Sequence, residues 1–249
     1  LVQACETSTT AAHPIEALSR LTRDREDTLL IVDGITGVGV FPLPMDEWKI
    51  DAMVTGSQKA LGLPPGLALV ALSDKAWKAV DKSKCPRFYF DFKKERKNLA
   101  DKTTAYTPAV SLVIGLRTVL KDIKAEGIEN VHKRHSRLAQ ATRAAVKALG
   151  LQFVAPDAPA DSTTGFFVPQ GVDGGKIVKS LRDDFGITMA GGQDQWKGKI
   201  IRVAHLGYVD TFDVIIAISA LEMALHKFGH KVEFGKGVAA AQEILVKAY

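Results

Sequence analysis

Three short apolar runs in the first third of the chain constrain its fold most. The first, Thr28 to Asp33, reads Thr-Leu-Leu-Ile-Val-Asp. Its length and β-branched content predict a buried parallel strand closed by an acid. A second run, Asp51 to Thr55, ends at Gly56-Ser57, and a third, Leu67 to Leu72, leads into Ser73-Asp74. Around them, Pro14 to Arg25 predicts a helix with Pro14 near its first turn, and Lys75 to Val80 predicts a short one. Strands alternating with helical or loop segments make an α/β unit with a mostly parallel sheet.

The pattern then changes twice. Residues Cys85 to Thr107 are basic and contain Phe88, Tyr89, Phe90 and Phe92 without a clean period, which predicts an extended, partly exposed connection. Val110 to Ala125 and Ile128 to Leu149 have helical apolar spacing broken near Gly127, as in a connecting helix pair. Beyond them come a strand at Thr164 to Val168, a helix at Gly174 to Phe185 and a strand at Lys199 to Ala204. Thr211 is the expected N-cap of an amphipathic helix that Gly229 stops, and a last helix runs from Val238 to Lys247. The expected organisation is a parallel-sheet domain over 1–107 and a small α+β domain, with the connecting helices, over 108–249.

Composition removes several classes. With 46% hydrophobic and 24% charged residues in 249, the chain can bury a substantial core. No apolar run approaches the roughly 20 residues needed to span a bilayer. Cys5 and Cys85 are too few for a disulfide framework and lack metal-ligand spacing, so a reduced, cytoplasmic protein is expected. His13, His226 and His230 show no metal spacing either. The net charge of +5 would suit nucleic acid, but the cations are interleaved with acids, as in Lys93-Lys94-Glu95-Arg96-Lys97, and no aromatic platform accompanies them. A site for an anionic cofactor and substrate uses the same charge, so neither nucleic acid nor membrane is an expected partner.

Several residues can carry chemistry. Lys59 leaves a strand through Thr55-Gly56-Ser57-Gln58, and small residues let a bulky group approach the backbone. A lysine so placed is either an ordinary surface residue or an amine available for carbonyl chemistry. Asp33 closes the first strand, where open α/β sheets bind ligands, unless it only caps the turn before Gly34. Arg202 is a lone arginine in the apolar strand Ile200 to Ala204. It is costly there unless paired, so it either forms a buried structural ion pair or receives a carboxylate in bidentate fashion. Ser/Thr clusters such as Glu6-Thr7-Ser8-Thr9 and glycine pairs such as Gly191-Gly192 also form plain turns.

The stretch Ile50-Asp51-Ala52-Met53-Val54-Thr55-Gly56-Ser57-Gln58-Lys59, followed by Gly66-Leu67-Ala68-Leu69-Val70, resembles the pyridoxal-phosphate attachment signature of the class V aminotransferases. The resemblance implies the type I fold of pyridoxal-phosphate transferases, with Lys59 as the Schiff-base lysine. It implies that Asp33 holds the pyridinium nitrogen of pyridoxal 5'-phosphate and that Thr7 touches the ring oxygen. Ser57 and Gln58 would lie near the cofactor phosphate, and Arg202 would bind the substrate α-carboxylate. Thr107, in Tyr106-Thr107-Pro108, would reach the phosphate of a neighbouring subunit, which requires a homodimer with shared sites.

Where the family has Gly after Glu-Thr-Ser-Thr, this chain has Thr10. Gln58 before the lysine matches the aminotransferase branch, since the related desulfurases carry histidine there. Arg202-x-x-His205-Leu-Gly207 resembles a branch labelled as the small subunit of soluble hydrogenase, whose members look like serine- or alanine-type aminotransferases acting with glyoxylate or pyruvate. His205 is expected to pack near the domain junction. The alternatives are a non-catalytic hydrogenase-associated subunit and a cysteine desulfurase, for which Cys5 and Cys85 stand too early. The family's upstream phosphate loop and ring-stacking aromatic have no counterpart in these residues, so the chain is expected to be part of a longer enzyme, and one that is inactive alone is a further alternative.

Overall fold

The computed structural model describes residues 1–248. The first sheet contains β1 (Val2–Gln3), β4 (Ile31–Asp33), β5 (Ala52–Gly56) and β6 (Ala68–Leu72), in the order β1-β4-β5-β6. β1, β4 and β5 run parallel, with Gln3 opposite Asp33 and Asp33 opposite Val54. β6 is antiparallel to β5. A parallel return needs a crossover of a dozen or more residues, usually through a helix, and the eleven residues of 57–67 between β5 and β6 contain no helix. Under this sheet Ala4, Ile15, Leu30, Val32, Ile50 and Met53 form one core, with Ile15 supplied by helix α1 (Ile15–Thr22). β2 (Cys5–Glu6) and β3 (Ala11–Ala12) make a small hairpin at the end of β1.

Helix α2 (Asp74–Lys82) is capped by Ser73, whose hydroxyl accepts the Ala76 N–H. The expected extended connection over 85–107 is corrected by a helix, α3 (Phe92–Ala100). It buries no residue, so no apolar period announced it. Its support is local: the Asp91 carboxylate accepts the Lys93 N–H, and Arg87 pairs with Asp91.

Helices α4 (Val110–Glu126) and α5 (Ile128–Ala148) lead to a second, antiparallel sheet. Its strands are β7 (Thr163–Phe167), β8 (Ala190–Gly191) and β9 (Ile200–Ala204), in the order β7-β9-β8. Phe166, Ile201 and Val203 pack on α5, on α6 (Gly174–Phe185) and on α7 (Thr211–Lys227). A further core joins α5 and α7 to α8 (Lys236–Leu245) through Leu138, Ile218 and Leu245.

The N-cap of α7 is Asp210, not Thr211. The Asp210 carboxylate accepts the N–H groups of Phe212 and Asp213, and Asp213 returns a bond to the Asp210 N–H. A carboxylate takes two donors at the positive helix end, which a single hydroxyl does less well. The buried Glu222 carboxylate accepts the N–H groups of Gly235, Gly237 and Val238, fixing the start of α8.

Candidate active site

The carboxyl ends of the three parallel strands lie in register, which places Ala4, Asp33 and the segment after Gly56 along one edge of the sheet. That edge is where open α/β sheets form ligand crevices. Asp33 is half-buried, and its Oδ1 accepts the Ile35 N–H at 2.9 Å. The chain then turns at Gly34, where a Cβ would lie 2.6 Å from Val38 and 3.3 Å from the Val54 carbonyl oxygen.

The Lys59 loop is built by Ser57. Its fully buried hydroxyl donates to the Pro64 carbonyl at 2.7 Å and accepts the Leu67 N–H at 3.2 Å. The Ser57 carbonyl accepts from Leu63 and the Lys59 carbonyl from Gly62. Ser57 thus folds the loop through its hydroxyl, a structural task that the sequence motif did not reveal. Gln58 is exposed. The half-buried Lys59 side chain has no hydrogen bond to its amine among the described residues.

The hairpin after β1 supplies Thr7. Its hydroxyl is 3.3 Å from that of Thr36, which also donates to the Cys5 carbonyl. Glu6 accepts both the N–H and the hydroxyl of Ser8, and these bonds hold its carboxyl below the usual range.

Arg202 comes from the second sheet and is only 8% exposed. Its Nε donates to the Gly191 carbonyl at 3.0 Å and its Nη1 to the Thr7 carbonyl at 2.8 Å. Burial pulls its pKa down, and Glu6 opposes that shift. No salt bridge among the described residues involves Asp33, Lys59 or Arg202. Arg202 therefore lacks the structural ion pair that its sequence position allowed. Its guanidinium is instead hydrogen-bonded to two backbone carbonyls. Gly191 is part of this arrangement, and at Gly192 a Cβ would lie 2.1 Å from the Trp196 carbonyl oxygen, so the glycine pair has a packing reason.

Thr107 is exposed and makes no hydrogen bond among the described residues. Beside it, the Tyr106 ring stacks on Tyr89 at 4.4 Å and its hydroxyl donates to the Phe88 carbonyl. His205 is a core residue: its Nε2 is 2.9 Å from the Thr164 hydroxyl, and burial pushes its pKa down to about 3. Among the described residues no cluster of His, Cys, Asp and Glu could hold a metal ion, and no helix is long and apolar enough to cross a membrane.

Thr10, at the family's glycine position, has a left-handed φ of 63° and is 2% exposed. Its hydroxyl accepts the Gly165 N–H at 3.1 Å, and a Cβ on Gly165 would lie 2.8 Å from that hydroxyl. Gly165 stands opposite Arg202 in the sheet, so the pair fastens the Thr7 hairpin beside the arginine. Gly165→Ala is expected to destabilise the protein by about 1–3 kcal/mol through overpacking. Adding Thr10→Gly should recover most of that loss in urea denaturation. Equal destabilisation with and without Thr10→Gly would show that the two residues do not share the space.

A family model for the class-V aminotransferases matches residues 1–204. The chain is 43% identical to the soluble hydrogenase small subunit of Synechococcus sp. (strain PCC 6716), over 100% of its own length and 65% of the relative's. It is 40% identical to the L-aspartate–glyoxylate aminotransferase of Paracoccus denitrificans, over 96% of the chain and 61% of the relative. The crystal structure of pyridoxamine-pyruvate aminotransferase from Mesorhizobium loti superposes with a TM-score of 0.91 at 31% identity, covering 100% of this chain and 65% of that one. The chain belongs to the class-V aminotransferase family, and it spans a little under two thirds of the length of these relatives.

Proposed function

We propose that the protein is a pyridoxal-phosphate-dependent aminotransferase, moving the amino group of a small amino acid, serine or alanine, to a small 2-oxo acid such as glyoxylate or pyruvate. One observation carries this reading: a carboxylate, an amine and a buried guanidinium, none of them in a salt bridge, extend from elements that meet at the carboxyl edge of the parallel sheet. This donor set fits pyridoxal phosphate, which has a basic ring nitrogen, an aldehyde and an anionic substrate partner to satisfy. When bound, that cofactor supplies an electron-poor ring that accepts the electrons left by a departing α-proton.

Asp33 would keep the ring nitrogen protonated, with one oxygen oriented by the Ile35 N–H. The Lys59 amine would attach the cofactor covalently and then move the proton at the substrate α-carbon. Arg202 would hold the α-carboxylate with the guanidinium edge that its carbonyl partners leave open. Thr7 would contact the ring oxygen. Gln58 and the loop that Ser57 closes would lie near the phosphate, and Thr107 would reach the phosphate site of a second subunit in a cytoplasmic homodimer. Residues 1–107 would be the carboxyl-terminal part of the cofactor-binding domain, and 108–249 the connecting helices and small domain.

The acceptors named in the two aminotransferase relatives, glyoxylate and pyruvate, support a small 2-oxo acid, while their donors differ. The Synechococcus relative's name favours a second reading, a hydrogenase-associated subunit without transaminase activity. Absorbance separates the two. The whole protein with pyridoxal phosphate should gain a near-visible band that borohydride fixes covalently on the Lys59 peptide. The band should decay on adding serine or alanine and return with glyoxylate or pyruvate. Aspartate belongs in the same panel. A protein that gains no band, or whose band ignores every donor, is not an aminotransferase.

A further inference from the structure

Gly207, in the loop between β9 and α7, comes close to the Lys59 backbone. It has φ 85°, and a Cβ there would lie 2.9 Å from the Lys59 carbonyl oxygen and 3.8 Å from the Gly62 Cα. No other residue type fits without displacing the lysine turn. Two consecutive residues of α5 hold Gly207 through the peptide groups on either side of its Cα. The Gly207 N–H donates to His135 Nε2 at 3.1 Å, and the Gly207 carbonyl accepts from Arg134 Nη1 at 3.2 Å.

Both holders are themselves fixed. His135 is fully buried, and its Nδ1 lies 2.8 Å from the Val131 carbonyl. Nδ1 must carry the proton there, because Nε2 accepts from Gly207. Burial pulls its pKa down, in the direction of the neutral ring that this acceptor role requires. Arg134 is held by a bidentate pair with Glu126, with Nε–Oε1 at 2.8 Å and Nη2–Oε2 at 3.2 Å. On the other side, the Lys59–Gly62 turn closes through the Gly62 N–H to the Lys59 carbonyl at 2.9 Å, the same oxygen that faces Gly207.

We propose that Arg134 and His135 are positioning residues that clamp the Gly207 peptide against the Lys59–Gly62 turn and so fix where the Lys59 amine stands. The inference rests on Lys59 being the cofactor lysine. It extends that reading by assigning the placement of the amine to helix α5, whose side chains do not reach the reacting atoms. The Arg-x-x-His-Leu-Gly motif gains a use for its glycine: Gly207 is the surface against which the lysine turn is set.

The test uses amide hydrogen exchange in the whole apoprotein, so its outcome does not depend on cofactor binding. His135→Met keeps bulk and removes the acceptor. His135→Gln returns an acceptor near the Nε2 position. Exchange at Gly207 and Gly62 should quicken by about tenfold in His135→Met and return towards the parent rate in His135→Gln, the size expected for one buried hydrogen bond. Arg134→Met, at a partly exposed position, should quicken Gly62 to a lesser degree and covers the case in which His135→Met does not fold. In the cofactor-loaded protein, His135→Met should lower kcat about tenfold with KM for both substrates within about twofold, and His135→Gln should restore it. Fast exchange at Gly207 with parent rates at Gly62 and parent kcat would overturn the clamp. A protein whose Lys59 takes no cofactor, yet whose Gly62 exchange responds as described, would refute the aminotransferase reading and leave the clamp standing.

Discussion

Lys59→Ala is expected to abolish transamination, lowering kcat/KM by at least about 10⁴-fold, while the fold survives. General acid–base catalysis by a positioned group is worth about 10²–10⁴ in rate. The same amine would also be the covalent attachment point, so both contributions go together. The structural cost is small because the amine has no hydrogen bond or salt bridge among the described residues. The turn is made by backbone: the Lys59 carbonyl still accepts from Gly62, and Ser57 still closes the loop onto Pro64 and Leu67. The unfolding free energy should therefore change by no more than about 0.5 kcal/mol, as for a substitution without a special structural role. Borohydride should fix no cofactor on the variant. Steady-state kinetics, urea denaturation and mass analysis of the reduced protein check the three parts. Activity within tenfold of the parent would remove Lys59 from the chemistry.

What the sequence made legible follows the range of the interactions. The strands that carry Asp33 and precede Lys59 were recognisable from a few adjacent residues, whereas Lys59 itself stood out only through the resemblance of the whole stretch to the attachment signature. Helix α6 was bounded correctly at Gly174 and Phe185, between an Asp173 cap and the left-handed Gly186. Helix α3 escaped because an apolar period reports burial, and this helix has none. The antiparallel sense of β6 escaped because a short apolar run reads the same in either direction, and its neighbours carried the parallel expectation. The cap of α7 was misplaced by one residue because Asp210 and Thr211 are both good caps and only geometry shows which hydroxyl or carboxylate faces the free N–H groups. The clamp on Gly207 was invisible, since His135 meets it across 72 residues of chain through a backbone N–H, which leaves no trace in residue type. Thr10 and Gly165 show the same limit at a separation of 155 residues. A threonine in a glycine's place looked like a departure from the family pattern, and only the contact revealed that a glycine elsewhere makes room for it.

Arg202→Lys tests the second large contribution. Lysine keeps the positive charge but replaces a planar fork of five donors with one ammonium. Arginine here divides its donors between the Gly191 and Thr7 carbonyls and retains an edge for a carboxylate. A lysine amine cannot serve both carbonyls and an incoming carboxylate with bidentate geometry. Disrupting a buried, hydrogen-bonded charge contact costs about 2–5 kcal/mol. Every 1.4 kcal/mol is a factor of ten, so kcat/KM for the amino donor and for the 2-oxo acid should both fall by about 30- to 4,000-fold. The near-visible cofactor band should remain, because Asp33 and Lys59 are untouched. Arg202→Met separates substrate binding from packing. It leaves the Thr7 and Gly191 carbonyls without their donor, each at about 1–3 kcal/mol, so its unfolding midpoint should drop where that of Arg202→Lys moves less. If Arg202→Lys instead keeps kcat/KM within about twofold for both substrates, the guanidinium serves only to tie the Thr7 hairpin to the second sheet. The substrate carboxylate would then need a different cation.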